Sequence, residues 1–116
     1  MDIFKNLNTL DKRKSECERI LKKHPERIPV IVCKNCKEGV LPDIDKQKYL
    51  VPKELTLGQF VYIIRKRIKL DPNQALFVLI NNSLYPTNKL IDDIYNEAKD
   101  EDGYLYIVYS SENTFG

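Results

Sequence analysis

Along residues 10 to 23, LDKRKSECERILKK, the apolar side chains Leu10, Cys17, Ile20 and Leu21 fall roughly on one helical face, and Pro25 stops the helix just beyond. Lys12, Arg13 and Lys14 lie opposite, so the stripe is thin and predicts a helix packed on the outside of a domain, with a short helical turn before it. RIPVIVC at 27–33 is rich in β-branched residues and alternates only partly, which predicts a strand covered on both faces. Asn35, Gly39 and Pro42 mark a turn region leading to a second strand, KYLVP at 48–52, in a hairpin with the first.

Thr56-Leu57-Gly58-Gln59 has the form of a capping box, so a helix should start at Thr56. Within it Leu57, Val61, Ile64 and Ile68 make the inward stripe, Phe60 and Ile63 lie to one side, and Arg65, Lys66, Arg67 and Lys69 face mostly outward. Asp71-Pro72-Asn73 ends the helix. ALFVLI at 75–80 predicts a third buried strand, Asn81-Asn82-Ser83 a tight turn, and Leu84-Tyr85 a short return before Pro86. A helix from Lys89 to about Ala98, capped by Thr87 or Asn88, should bury Leu90, Ile91, Ile94 and Tyr95. Asp102-Gly103 then turns the chain into YLYIVY at 104–109, a strand suited to the centre of a sheet, and the polar SSENTFG follows. A hairpin, a crossing helix and a late central strand describe an α+β fold, the ubiquitin-like β-grasp, here with an N-terminal helical extension.

Composition changes this picture little. The 116 residues, 42% hydrophobic, make one domain. No run reaches the length of a spanning helix, and MDIFKNLNTLDKRK lacks the apolar block of a secretory signal. The net charge of +2 is uneven: residues 1–91 carry 18 Lys/Arg against 10 Asp/Glu, while residues 92–116 carry 1 against 7. A basic body is first of all a solvated face; it also suits anionic lipid or nucleic acid. RNA binding would need aromatics interleaved with Lys/Arg on an exposed sheet face, and these strands are too apolar, so no nucleic-acid partner is expected.

Three cysteines do not make a disulfide framework, and without a signal they point to a reducing cytosol. Cys33 and Cys36 form a C-x-x-C pair, but Cys17 and His24 lie outside zinc-ligand spacing, and Gly39 and Pro42 follow where a redox motif opens a helix. Neither metal nor cofactor is expected. With His24 the single histidine and no Gly-rich phosphate loop, no catalytic base and nucleophile can be assigned, and an enzyme is not expected.

RIPVIV at 27–32, DIDKQKYLVP at 43–52, LTLGQFVYIIRKRI at 55–68, the NN…YPT turn at 81–87 and the YLYIVYSSENTFG ending give the chain a close resemblance, over nearly its whole length, to the autophagy ubiquitin-like modifiers, the family of the GABA-receptor-associated protein. The resemblance implies three regions: residues 1–25 a helical extension packed on the domain, 26–109 the β-grasp, and 110–116 a flexible conjugation tail. It implies that Gly116, after the aromatic Phe115, is joined to membrane phosphatidylethanolamine by activating and conjugating enzymes and released by a deconjugating cysteine protease. A glycine has no side chain to obstruct a narrow enzyme slot, and seven residues from Ser110 reach at most about 25 Å. Many relatives carry residues beyond this glycine that the protease removes, whereas this sequence stops at Gly116. The expected location is cytoplasmic, moving to autophagosomal or other organelle membrane once lipid is attached.

The resemblance also implies docking of receptors and adaptors that carry aromatic-x-x-aliphatic motifs, by strand addition at Lys48, Tyr49, Leu50 and Val51. Its aromatic pocket is lined by Glu16, Ile20, Pro29, Ile31, Lys48, Leu50 and Tyr104; its aliphatic pocket uses Tyr49, Val51, Pro52, Leu55, Phe60 and Ile63, with Arg67 nearby for acidic groups. Phe77 and Leu79 stand where relatives touch the processing protease. Tyr104 replaces a frequent Phe, and Gly103 replaces an aromatic, which predicts a looser pocket floor. One alternative remains: an interaction module of vesicle traffic that is never conjugated.

Overall fold

Residues 3–111 are described by the structure, a computed structural model. Phe115 and Gly116, on which the conjugation expectation falls, lie outside the described residues. The order is α1 (Ile3–Leu7), α2 (Leu10–Lys23), β1 (Arg27–Lys34), β2 (Lys48–Pro52), α3 (Leu57–Arg67), β3 (Phe77–Leu79), α4 (Ile91–Ala98) and β4 (Leu105–Ser110). The strands form one sheet in the order β2-β1-β4-β3, in which β1 runs antiparallel to β2 and parallel to β4, and β3 runs antiparallel to β4. This is the α+β β-grasp arrangement with its N-terminal helical extension.

The partial alternation of β1 has its cause in the packing: Ile28 through Cys33 are all buried, so both faces of the strand are covered. On one face Ile28, Val30 and Val32 join Val51, Leu105, Ile107 and Tyr109 under Leu57, Phe60 and Ile64 of α3 and Ile91 and Ile94 of α4. On the other, Ile31 and Tyr104 pack beneath Phe4 of α1 and Cys17 of α2. Polar contacts fasten this thinner layer. Asp102, buried, accepts from Arg13 Nη1 at 2.6 Å and from the Tyr106 hydroxyl, and Lys5 pairs with Asp100 at 2.6 Å.

The capping box forms as expected: Thr56 Oγ1 accepts from the Gln59 amide at 3.2 Å, and Gln59 Oε1 accepts from the Thr56 amide at 2.9 Å. The inward face of α3 is rotated from the expected one, with Phe60 fully buried beside Leu57 and Ile64 and Val61 only half-buried. The third strand is shorter than residues 75–80. Ile80 and Ser83 bridge across Asn81 and Asn82, both at positive φ (52° and 60°), and Pro86, lacking an N–H, cannot carry the return further. Helix α4 starts at Ile91, without the side-chain cap expected from Thr87 or Asn88, and Leu90 is exposed. The segment before it is instead tied to α3: the Leu57 amide donates to Lys89 O, the Gly58 amide to Thr87 O and the Ile91 amide to Leu55 O, each at 2.9 Å. Main-chain pairing here replaces the cap.

Ser110, expected in the tail, is the buried last residue of β4, and Ser111 is hydrogen-bonded to Glu38. Gly103, where a looser pocket floor is expected, lines a cleft of ≈ 600 Å³ together with Cys17, Leu21 and Tyr95. Gly103 has φ +95°, and a Cβ there would lie 2.7 Å from Cys17 Sγ, so the thiol of α2 occupies the space a side chain would need. Gly103→Ala should therefore cost about 2 kcal/mol or more, combining the positive-φ penalty with the clash. Adding Cys17→Ala should recover part of that loss and not all, since the φ penalty stays; urea denaturation of the two variants measures both quantities.

Candidate functional site

β2 closes one side of the sheet and pairs only with β1 among the described strands. The Val32 amide donates to Gln47 O at 2.8 Å, so in this antiparallel ladder the opposed pairs Val30/Tyr49 and Ile28/Val51 are the hydrogen-bonded ones. The main-chain groups of Lys48 and Leu50 consequently face away from the sheet. One of them is covered: Arg27 Nη1 donates to Leu50 O at 3.1 Å. The same alternation sends the side chains of Lys48 and Leu50 to the face carrying α1 and α2, and those of Tyr49 and Val51 to the face carrying α3.

On the α2 side, Glu16, Ile20 and Leu50 line a cleft of ≈ 510 Å³ together with Arg19, Lys23 and His24. Leu50 is 36% exposed at its rim. Glu16 Oε1 accepts from Lys48 Nζ at 2.6 Å and from the Tyr104 hydroxyl at 2.5 Å, joining helix, edge strand and sheet centre. Burial pushes the Glu16 carboxyl up, but these two hydrogen bonds together with the charges of Lys48 and Arg19 outweigh it and hold the group below its ordinary value. Burial and the adjacent Glu16 push the Tyr104 hydroxyl upward in turn. Pro29, opposite Leu50, and Ile31, opposite Lys48, lie on this face and are buried, as is Tyr104. They form the floor beneath the Glu16–Lys48 pair.

On the α3 side the rings of Tyr49 and Phe60 meet edge to face with centroids 5.4 Å apart, and Val51 is buried beside them. Pro52 and Leu55 are half-buried and Ile63 is 36% exposed, so these three form the accessible part of this face. Phe60, expected at the side of α3 and open to a ligand, belongs to the core. Arg67 is engaged, with its Nε and Nη2 on the two carboxylate oxygens of Asp45 at 3.2 and 3.3 Å. The Tyr49 hydroxyl is buried with no hydrogen-bond partner among the described residues.

Phe77 and Leu79 sit on β3, opposite Ser110 and Val108; Phe77 is partly exposed beside the end of β4, and Leu79 is buried. Cys33 is buried and Cys36 exposed, and among the described residues no three His, Cys, Asp or Glu side chains cluster to hold a metal. Arg19, Lys23 and His24 were absent from the expected pocket, although their helical spacing from Glu16 and Ile20 could have placed them there. Arg27 was absent too, and no sequence pattern marks a guanidinium that caps a carbonyl 23 residues away.

Comparison with known proteins gives one family. The family described as autophagy protein Atg8, ubiquitin-like, matches residues 12–116. The chain is 59% identical over 114 residues to autophagy-related protein 8e of Arabidopsis thaliana, covering 98% of this chain and 93% of that protein. It is 57% identical over 113 residues to autophagy-related protein 8 of Mycosarcoma maydis, covering 97% and 95%. It is likewise 57% identical over 113 residues to autophagy-related protein 8B of Oryza sativa subsp. indica, covering 97% and 94%.

The lowered Glu16 carboxyl gives a pH-dependent contribution to stability. Because its folded value lies below the unfolded one, the contribution is present above the ordinary carboxylate range and is lost as pH falls through the folded value. The parent should exceed Glu16→Gln by about 1 kcal/mol at pH 7, and the gap should close toward pH 3, as read from urea denaturation at the two pH values.

Proposed function

The chain belongs to the Atg8 ubiquitin-like family of autophagy proteins, and on that premise we propose that it is a modifier joined through Gly116 to phosphatidylethanolamine, which then recruits partners by binding aromatic-x-x-aliphatic segments. The family match extends through residue 116, which supports Gly116 as the conjugated residue. Among the described residues no helix is long and apolar enough to cross a membrane, so a covalent lipid is an economical anchor: each buried methylene contributes about 0.8 kcal/mol, and two acyl chains hold firmly. The carboxyl is activated and transferred by separate activating and conjugating enzymes and freed by a cysteine protease, so the modifier needs no catalytic group of its own. It would work in the cytoplasm until conjugated, and on autophagosomal or related membranes afterwards.

The observation that best supports the docking half is the free edge of β2. The outward main-chain groups of Lys48 and Leu50 offer a ladder to an added strand, and its side chains alternate onto the two flanking faces. On one face an aromatic ring would enter over Ile31 and Tyr104, displacing the Glu16–Lys48 pair that roofs them. On the other an aliphatic side chain would rest on Tyr49, Pro52, Leu55 and Ile63, above Val51 and Phe60. Lys48, Arg27 and Arg67 surround the edge with positive charge that favours acidic flanking residues. Arg67 must leave Asp45 to contribute, which lowers its share. Phe77 beside the end of β4 suits contact with an enzyme gripping the tail, and Leu79 would support it from beneath.

Leu50→Ala removes a rim contact without opening the core, and should weaken an aromatic-x-x-aliphatic peptide by about 30-fold, or about 2 kcal/mol. Arg67→Ala should cost less, with an effect that shrinks as salt is raised while the Leu50 effect persists. Titration calorimetry at two salt concentrations separates them; unchanged affinity in folded Leu50→Ala would remove the docking site from this edge. Gly116→Ala should leave a folded protein that no longer floats with membranes and lacks the phosphatidylethanolamine adduct in intact mass spectra. If it still floats like the parent, the never-conjugated interaction module is the better reading.

A further inference from the structure

The loop after β1 and the end of β4 meet at one carboxylate. Glu38 Oε2 accepts from the amides of Val40 and Leu41 at 2.8 and 2.7 Å, which closes its own loop. Its Oε1 accepts from the Ser111 amide at 2.6 Å and from the Ser110 hydroxyl at 3.3 Å, more than 70 positions away in sequence. Two further contacts fix the loop against the strand: the Asn35 amide donates to Tyr109 O at 2.9 Å, and the Tyr109 hydroxyl donates to Pro42 O at 2.7 Å. Leu41, buried at 3% exposure, anchors the loop in the core from below.

The loop side needs one oxygen of Glu38 and the strand side needs the other. Burial pushes this carboxyl up, but the amides of Ser111, Leu41 and Val40 bring it down to about 2, so the group stays ionised at neutral pH and both oxygens remain acceptors. A glutamine offers a single oxygen, and its NH₂ would confront N–H donors on one side.

We propose that Glu38 is a positioning residue that fixes the root and heading of the C-terminal segment, so that Gly116 reaches the activating enzyme from one direction. The role in transfer rests on the reading of Gly116 as the conjugated residue; the hold on the root does not. Residues 112–116 span at most about 18 Å beyond Ser111, so a change of heading at Ser111 moves the terminal carboxyl by a distance comparable to the whole segment. A root already fixed at Ser111 also spares the cost of fixing it during docking, and ordering one residue slows a committed step by about tenfold.

The test uses the full-length protein and two variants that disturb opposite ends of one contact. In Glu38→Gln, hydrogen exchange at the Ser111 amide, followed by NMR, should quicken by about tenfold or more, while the Val32 amide keeps its protection. In enzymatic charging of the tail, Glu38→Gln should lower kcat by about tenfold with KM unchanged, because the surface that docks the domain is intact. Ser111→Pro deletes the root amide together with the Ser111 hydroxyl, keeps the bonds from Val40 and Leu41, and suits the extended backbone of Ser110. It should reproduce the kcat loss, and the double variant should be no slower than either single one. Parent-like protection of Ser111 in Glu38→Gln overturns the hold on the root; parent-like kcat, or losses that multiply in the double variant, overturns the role in transfer. A parent that is never charged removes both the modifier reading and the role in transfer, and the exchange measurement still decides whether Glu38 holds the root.

Discussion

The parallel pairing of β1 with β4 governs the rest of the molecule. Parallel strands are commonly covered on both faces, and the helices of this chain are divided between the two. Here α3 and α4 cover the first face with a broad apolar core, and α1 and α2 cover the second with little more than Phe4, Cys17, Ile20 and Leu21. A cover that thin needs polar fastening: Arg13 pairs with Asp102, Lys5 with Asp100, and Glu16 accepts from both Lys48 and Tyr104. The N-terminal helices are therefore part of the fold's solution to its own central strands.

The same arrangement creates the edge. Because α2 lies along β1 and stops short of covering β2, a cleft remains between helix and strand, floored by residues that serve the sheet and rimmed by residues that do not. Ile31, Tyr104, Val51 and Phe60 hold the domain together, Leu50 and Ile63 are exposed, and Lys48 is held by Glu16. Truncating a floor residue tests stability first and recognition second; only rim residues separate the two.

Element types and order were legible because their signals are local. The capping box at Thr56, the Pro25 stop, the β-branched run of β1 and the Asn81-Asn82 turn each depend on a few neighbouring residues. The errors lie where a distant segment takes over a local role. Thr87 and Asn88 look like caps, yet the amide at the start of α4 is satisfied by Leu55. Phe60 looks lateral on its helix, but Tyr49 from the edge strand turns it into core. The pocket residues came from resemblance rather than pattern, and burial then divided them into floor and rim. Glu38, a polar residue in a polar loop, carried no signal at all, since its importance lies in an amide 73 positions away.

The exposed margin of β2 also has to avoid joining with itself. Two copies laid edge to edge would bring Lys46, Lys48 and Arg27 of one against the same residues of the other, and like charges opposed across a ladder repel. An incoming strand with carboxylates in its flanks meets attraction at those positions. Lys48 thus works by charge against pairing with another copy of its own chain, so that this margin stays open even where copies are crowded together.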